Sequence, residues 1–187
     1  MRKSNSTISE ENKSFWEREN QANFARTRDI STLDYLSVAD GELPFSTSAT
    51  SLDEREAELE QRVRETSQRK MINLAAYSNT DLKEQYGVAN LEELSNCDQN
   101  FLFFIRALAN WGTYLYEKEE YARSRQIMEY SHTIGSDISS VYTVLGNIYA
   151  MEGDIAKVDE LIAEVEQSDF SLKASIIKKL KICKLEY

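Results

Sequence analysis

The chain has 187 residues, a formal net charge of −10, six glycines and a single proline. That length suits one domain with a sizeable core plus a tail, and so few glycines and prolines suit helices. The acidic balance argues against nucleic acid as a partner, because phosphate binding needs stripes of Lys and Arg.

Met1–Asn5 is expected to be disordered. Thr7-Ile8-Ser9-Glu10 then has the form of a capping box for a helix running to about Arg28. Its apolar residues Phe15, Trp16, Ala22, Phe24 and Ala25 make no clean stripe, so it is expected to dock weakly or to project. Residues 29–50 form a connector with turn signals at Asp40-Gly41 and Leu43-Pro44-Phe45. The apolar anchors Ile30, Leu33, Tyr35, Leu36, Val38 and Phe45 predict an extended segment packed on the helices. Ser51-Leu52-Asp53-Glu54 predicts a second capping box and a helix to about Ala76. Acids crowd its first turns and Arg62, Arg64, Arg69 and Lys70 follow, which suits the helix dipole. Leu59, Val63, Met71, Leu74 and Ala75 mark its buried side. A short helix over Thr80–Gln85 closes at Gly87, and Asn90-Leu91-Glu92-Glu93 caps another that leads into a repeat.

The repeat has a period of 34 residues, seen in Gly112 and Gly146. Trp111-Gly112-Thr113-Tyr114-Leu115-Tyr116 is answered by Leu145-Gly146-Asn147-Ile148-Tyr149-Ala150, and Tyr121-Ala122 by Ile155-Ala156. A period of this size marks a helix-turn-helix solenoid unit. Two hairpins follow: Gln99–Glu117 with Glu120–Ile134, then a helix capped by Ser136 or Asp137 with one that starts after the Gly153-Asp154 turn. Gly135 stands where a left-handed C-cap is wanted. Gly112 and Gly146 lie inside helices, where glycine costs roughly 1 kcal/mol against alanine, so each predicts a close approach by another element. Ser171–Glu186 reads as a final helix with Leu172, Ile176, Leu180 and Cys183 inward, covering the open end of the last repeat.

These residues resemble the tetratricopeptide (TPR) repeat. Leu145, Gly146, Tyr149, Gly153 and Asp154 fit best; Trp111, Gly112 and Tyr121 carry the first copy. Leu115, Ser124, Val158 and Val165 depart from the pattern, and neither copy ends in proline. The expected fold is therefore all-α: TPR-like hairpin repeats in an α-α superhelix over 99–187, with a C-terminal capping helix. Residues 51–98 supply helices that pack on the repeats, and residues 1–50 a polar helix and extended connector. A second resemblance rests on Phe15-Trp16-Glu17-Arg18-Glu19, Leu33-Asp34-Tyr35, Leu43-Pro44-Phe45 and Tyr86-Gly87-Val88-Ala89-Asn90-Leu91. These runs are similar to the soluble region of uncharacterised bacterial proteins anchored by a single transmembrane helix. The resemblance implies a tether ahead of this region and a place at the cytoplasmic face of the membrane.

Catalytic chemistry finds little support. The single histidine, His132, and two well-separated cysteines make no metal constellation. Neither a phosphate loop nor a nucleophile elbow occurs. No cofactor is expected, and Cys97 and Cys183 read as buried free thiols of a reducing, cytoplasmic compartment. No secretion signal is read, and no apolar run is long enough to span a bilayer. Acids between Glu152 and Asp169 face a lysine-rich last helix, as antiparallel neighbours of opposite sign would. The expected function is non-enzymatic: a scaffold whose concave face binds a peptide or protein; the alternative is self-assembly through the terminal helices. The TPR resemblance implies a groove lined by Arg106, Asn110, Thr113, Tyr116, Ser140, Thr143, Asn147 and Met151. With Arg106 its only base, that groove suits a neutral or mixed ligand.

Overall fold

The computed structural model describes residues 4–47 and 53–186. Its helices are α1 (Ser4–Ala22), α2 (Glu54–Ser67), α3 (Asn79–Tyr86), α4 (Leu91–Glu117), α5 (Tyr121–Thr133), α6 (Ser139–Met151), α7 (Ile155–Gln167) and α8 (Lys173–Glu186). Among the described residues, pairing between extended segments is confined to one isolated bridge, Leu36 to Met71. The protein is all-α, as expected. Among the described residues no helix is long and apolar enough to cross a membrane. The chain divides into two compact units, residues 1–36 with 70–101 and residues 37–69 with 102–187.

In the first unit, α1 starts at Ser4, so Thr7 lies inside the helix rather than at its start; Met1–Lys3 lie outside the described residues. The helix docks on α3 by charge rather than by an apolar stripe. Arg18 reaches Asp81 at 2.7 Å and Glu84 at 2.5 Å, and Glu19 meets Lys83 and the Thr80 hydroxyl. Phe15 and Trp16 pack edge-to-face on each other and stay exposed. The helix stops at Ala22 and not near Arg28, because the chain beyond turns to pair elsewhere. The Arg28 N–H donates to the Tyr86 carbonyl, and the Asn90 amide donates to the carbonyls of Arg28 and Tyr86. Gly87 has φ +83°, and a Cβ there would sit 2.7 Å from Thr27 Cα. Glycine is needed at this position for both reasons. Ile30, Leu74, Leu82 and Leu94 form the small core.

α4 replaces the two helices expected over Asn90–Glu117. No breaker separates Leu91 from Gln99, and Leu94, Cys97, Phe101, Phe104, Ile105, Leu108 and Trp111 make one buried stripe. α2, by contrast, ends at Ser67 and not near Ala76. The Thr66 and Ser67 hydroxyls donate back to carbonyls of Arg62, Val63 and Arg64, which closes the last turn. Ser51 and Leu52 lie outside the described residues; the N-cap is Asp53, whose carboxylate accepts from the Glu56 N–H at 2.9 Å.

In the second unit the turns recur at the interval of the sequence repeat. Glu120 N–H donates to the Leu115 carbonyl and Glu119 N–H to Tyr116, closing α4. Asp154 N–H donates to Tyr149 and Gly153 N–H to Ala150, closing α6 in the same Schellman pattern. Ser136 to Ser131 and Gly135 to His132 close α5 likewise, with Gly135 at φ +86° as expected. The left-handed residue is Gly153 in one copy and Glu119, at φ +62°, in the other. Both helix glycines are approached closely, by different neighbours. A Cβ on Gly112 would lie 2.8 Å from Met128 of α5, and one on Gly146 2.3 Å from Leu180 of α8. The Ser124 hydroxyl also reaches the Gly112 carbonyl at 2.7 Å. Trp111 and Leu145 are buried, and α6, α7 and α8 share one core. Ile176, Leu180 and Cys183 of α8 point inward as expected, but Leu172 precedes the helix and is exposed. α6 begins after Ile138 without a side-chain cap; Ser136 accepts from the Ile138 N–H.

Two tests follow from this geometry. Glu119→Gly removes a left-handed side chain from an open turn and should stabilise the protein by roughly 0.5–1 kcal/mol; chemical denaturation measures it, and a loss of stability would break the equivalence with Gly153. The second test is acid. Ser78 and Arg18 hold the Asp81 carboxyl down to about 2, Lys83 and Thr80 lower that of Glu19, and Arg18 lowers that of Glu84. Depressed carboxylates stabilise above their unfolded values near 4 and lose that contribution as pH falls toward 2. The protection factors of the α1 amides, exchange rates corrected for the intrinsic pH dependence, should be level from neutral pH to about 5 and should fall once pH drops below about 4.

Candidate functional site

The site is built on α2. Glu56, Leu59, Glu60, Val63 and Thr66 are its buried residues, so two carboxylates share the inward stripe with two aliphatic side chains. Each carboxylate is answered. Glu56 lies 2.7 Å from Arg123 of α5, which also pairs with Glu120 at 2.7 Å. Glu60 accepts from the Ser46 hydroxyl at 2.7 Å, the Ser46 N–H at 3.1 Å, and Arg64 at 2.6 and 2.9 Å. Arg64 also donates to the Ser46 carbonyl and covers the Phe45 ring at 4.1 Å. Phe45 in turn stacks on Trp111, with ring centroids 5.6 Å apart. Residues 37–47 therefore run as a strap seated on the helices, and Gln126 of α5 donates to the carbonyls of Gly41 and Glu42. At the head of α2 the Asp53 carboxylate accepts from Tyr114 at 2.8 Å and faces Lys118 at 3.3 Å. The Glu56 N–H and then Tyr114 hold its carboxyl below the usual range.

Turning that stripe inward turns Arg62 and Glu65 outward; Arg69, two residues past the end of the helix, joins them opposite Phe103, Arg106 and Asn110 of α4. Together they line an open groove with about 470 Å³ of free volume. Three guanidinium groups meet one carboxylate there. Arg62, Arg69 and Arg106 are exposed, and among the described residues none of them enters an ion pair. Glu65 accepts from Gln61 at 3.0 Å. Phe103 leaves about half its surface, 48%, to solvent. Asn110 also lines the adjoining depression with Arg55 and Glu58, which neutralise each other at 3.0 Å.

Of the eight residues expected on a binding face, the groove brings together Arg106 and Asn110. Tyr116 is half-buried and leans on Tyr121, with centroids 5.5 Å apart. Thr113, Ser140 and Thr143 are half-buried, and the Thr143 hydroxyl donates to the Ser140 carbonyl. The Asn147 amide oxygen accepts from the Cys183 thiol of α8 at 2.7 Å. Met151 is exposed at the end of α6. Arg62 and Arg69 were not among the expected residues; following the acid-rich first turns of the expected helix, they read in the sequence as dipole partners. His132 lies 2.7 Å from Glu164 and edge-on to Tyr142. Lys184 pairs with Asp159 and Lys181 stands 3.9 Å from Glu166, the opposite-sign neighbours expected of α7 and α8.

The seating of α2 is testable at Arg123. Arg123→Ala leaves Glu56 buried without its counter-charge and should cost about 3 kcal/mol, the low end for a broken buried pair because Arg123 stays a quarter exposed. Urea titration reads it; a change below about 0.5 kcal/mol, the scale of surface substitutions, would show that Glu56 does not depend on Arg123. No protein family model, curated protein or solved structure matches the chain.

Proposed function

We propose that this chain is a non-enzymatic protein-interaction module, a TPR-like array of helical hairpins that holds a peptide segment of a partner in the groove between α2 and α4. One observation carries the reading: three arginines without an ion-pair partner among the described residues converge on a groove of a chain with net charge −10. Elsewhere in the second unit Arg64, Arg123 and Arg125 are each tied to carboxylates. Arginine kept unpaired beside an exposed aromatic is the composition of interface anchors. The repeated Schellman turns and the packed α6, α7 and α8 support a rigid scaffold. The buried free cysteines suit a reducing compartment.

A second reading, self-association, is favoured by the exposed Ile182 and Leu185 on the outer side of α8. One set of experiments separates the two. Random peptides displayed on phage are selected on the full chain and counter-selected on the Arg106→Ala/Asn110→Ala variant. The groove reading expects enriched peptides whose affinity drops about tenfold or more on that variant, with unchanged melting. Absence of enrichment, together with a concentration-dependent dimer that Ile182→Glu dissolves, would replace it by self-assembly.

A further inference from the structure

We propose that the segment held in this groove is acidic, with an aromatic side chain set among its carboxylates; this rests on the groove between α2 and α4 being the binding site. The rim is cationic. Arg62 belongs to α2 and Arg106 to α4. Arg69 follows the end of α2, where its N–H donates to the Thr66 carbonyl at 3.1 Å. All three residues are exposed, and Glu65 is the one carboxylate that lines the groove with them. Glu65 also accepts from Gln61 at 3.0 Å, so part of its hydrogen-bonding capacity is already used. The chain has 32 acidic residues against 22 basic ones, yet among the described residues none of these three arginines enters an ion pair. Guanidinium groups held beside one another in this way are answered best by carboxylates, whose paired oxygens match the guanidinium fork. The ligand is therefore acidic rather than neutral or mixed.

The floor asks for something else. Thr66 and Ala107 line the groove and are buried, at 5% and 2% exposure. The Thr66 hydroxyl donates to the Arg62 and Val63 carbonyls, so it is already engaged. Two small side chains at the base leave room for a large one from the ligand. Phe103, half exposed beside them, offers a ring, and guanidinium groups stack on aromatic faces. An aromatic ligand side chain meets both kinds of partner, whereas an aliphatic one gains only burial. The adjoining depression shares Arg62, Glu65 and Asn110, and its own Arg55 and Glu58 neutralise each other at 3.0 Å. Unpaired positive charge is thus confined to the groove, which suits a short acidic run. A nucleic acid would carry its phosphates past the groove into the field of an acidic chain.

The test is fluorescence anisotropy of the full chain with labelled peptides in a glycine-serine frame. The probe carries glutamates on both sides of one phenylalanine. One control replaces the glutamates by glutamine, another replaces the phenylalanine by serine, and a uridine oligomer of equal charge is run beside them. The proposal expects each control peptide and the oligomer to bind at least about tenfold more weakly than the probe. Arg62→Glu/Arg106→Glu reverses two of the rim charges at exposed positions. It should weaken the probe at least about tenfold and should bind the lysine counterpart of the probe more tightly than the unaltered chain does, a gain that a misfolded variant would not show. Arg69→Glu, outside both helices, should weaken the probe about tenfold with unchanged circular dichroism. No binding of the probe, equal affinity for glutamate and glutamine peptides, tighter binding of the oligomer, or indifference to Arg69→Glu would overturn it. Displayed peptides that depend on Arg106 but carry no acids would overturn this inference while leaving the groove as the binding site.

Discussion

The second unit depends on two buried carboxylates. Glu56 and Glu60 face inward on α2 at 5% and 3% exposure. Burying Leu59 and Val63 gains roughly 1.5–3 kcal/mol each, whereas an unpaired buried ion costs several kcal/mol. The helix therefore docks only in the register that gives both acids their partners. Arg123 answers one from α5; Ser46 and Arg64 answer the other and pin the strap. Shifting α2 by one residue would turn it by about 100° and expose or strand both acids. The same register places Arg62 and Glu65 on the outward face. The groove is thus a consequence of where two glutamates are neutralised.

The repeat shows a similar division between what periodicity specifies and what packing decides. The turns after α4 and α6 share hydrogen bonds at corresponding positions, so backbone geometry follows the period. The side chains that fill the crossings do not. Gly112 makes room for Met128, a flexible thioether on the next helix, while Gly146 makes room for Leu180 two helices later. The second copy is packed by α8, the helix that follows its hairpin. Glu119 shows the cost of divergence: the backbone keeps a left-handed turn although the side chain no longer favours it.

This division explains what could be read from the chain. The helices of the second unit, the C-cap at Gly135, the packing of both glycines and the burial of Trp111 and Leu145 follow from apolar spacing and turn chemistry. The joined α4 was also legible, since Leu94, Cys97 and Phe101 continue its stripe; reading Asn90-Leu91-Glu92-Glu93 as the start of a separate short helix hid it. The early end of α2 was less so, because it depends on hydroxyls bonding backward at Thr66 and Ser67. Arg106 and Asn110 could be placed by counting from Gly112. Arg62 could not, because the stripe that turns it outward contains glutamates, and acids at helix-spaced positions ordinarily mark the solvated face; Arg69 could not, because it lies past the early end of α2.

Charge decides at two ranges. The net charge of −10 sets the far field, which salt screens beyond about 8 Å under physiological conditions. Inside the groove the balance reverses, with Arg62, Arg69 and Arg106 against Glu65. The far field slows the approach of any polyanion, and the more so the longer it is, while the near field acts only on what reaches the wall. Such an arrangement sets a repulsive far field against a locally attractive wall. A uniformly basic groove would bind acids of every kind. Here Glu65 keeps the wall from being uniformly basic, on a helix whose register is held by buried ion pairs.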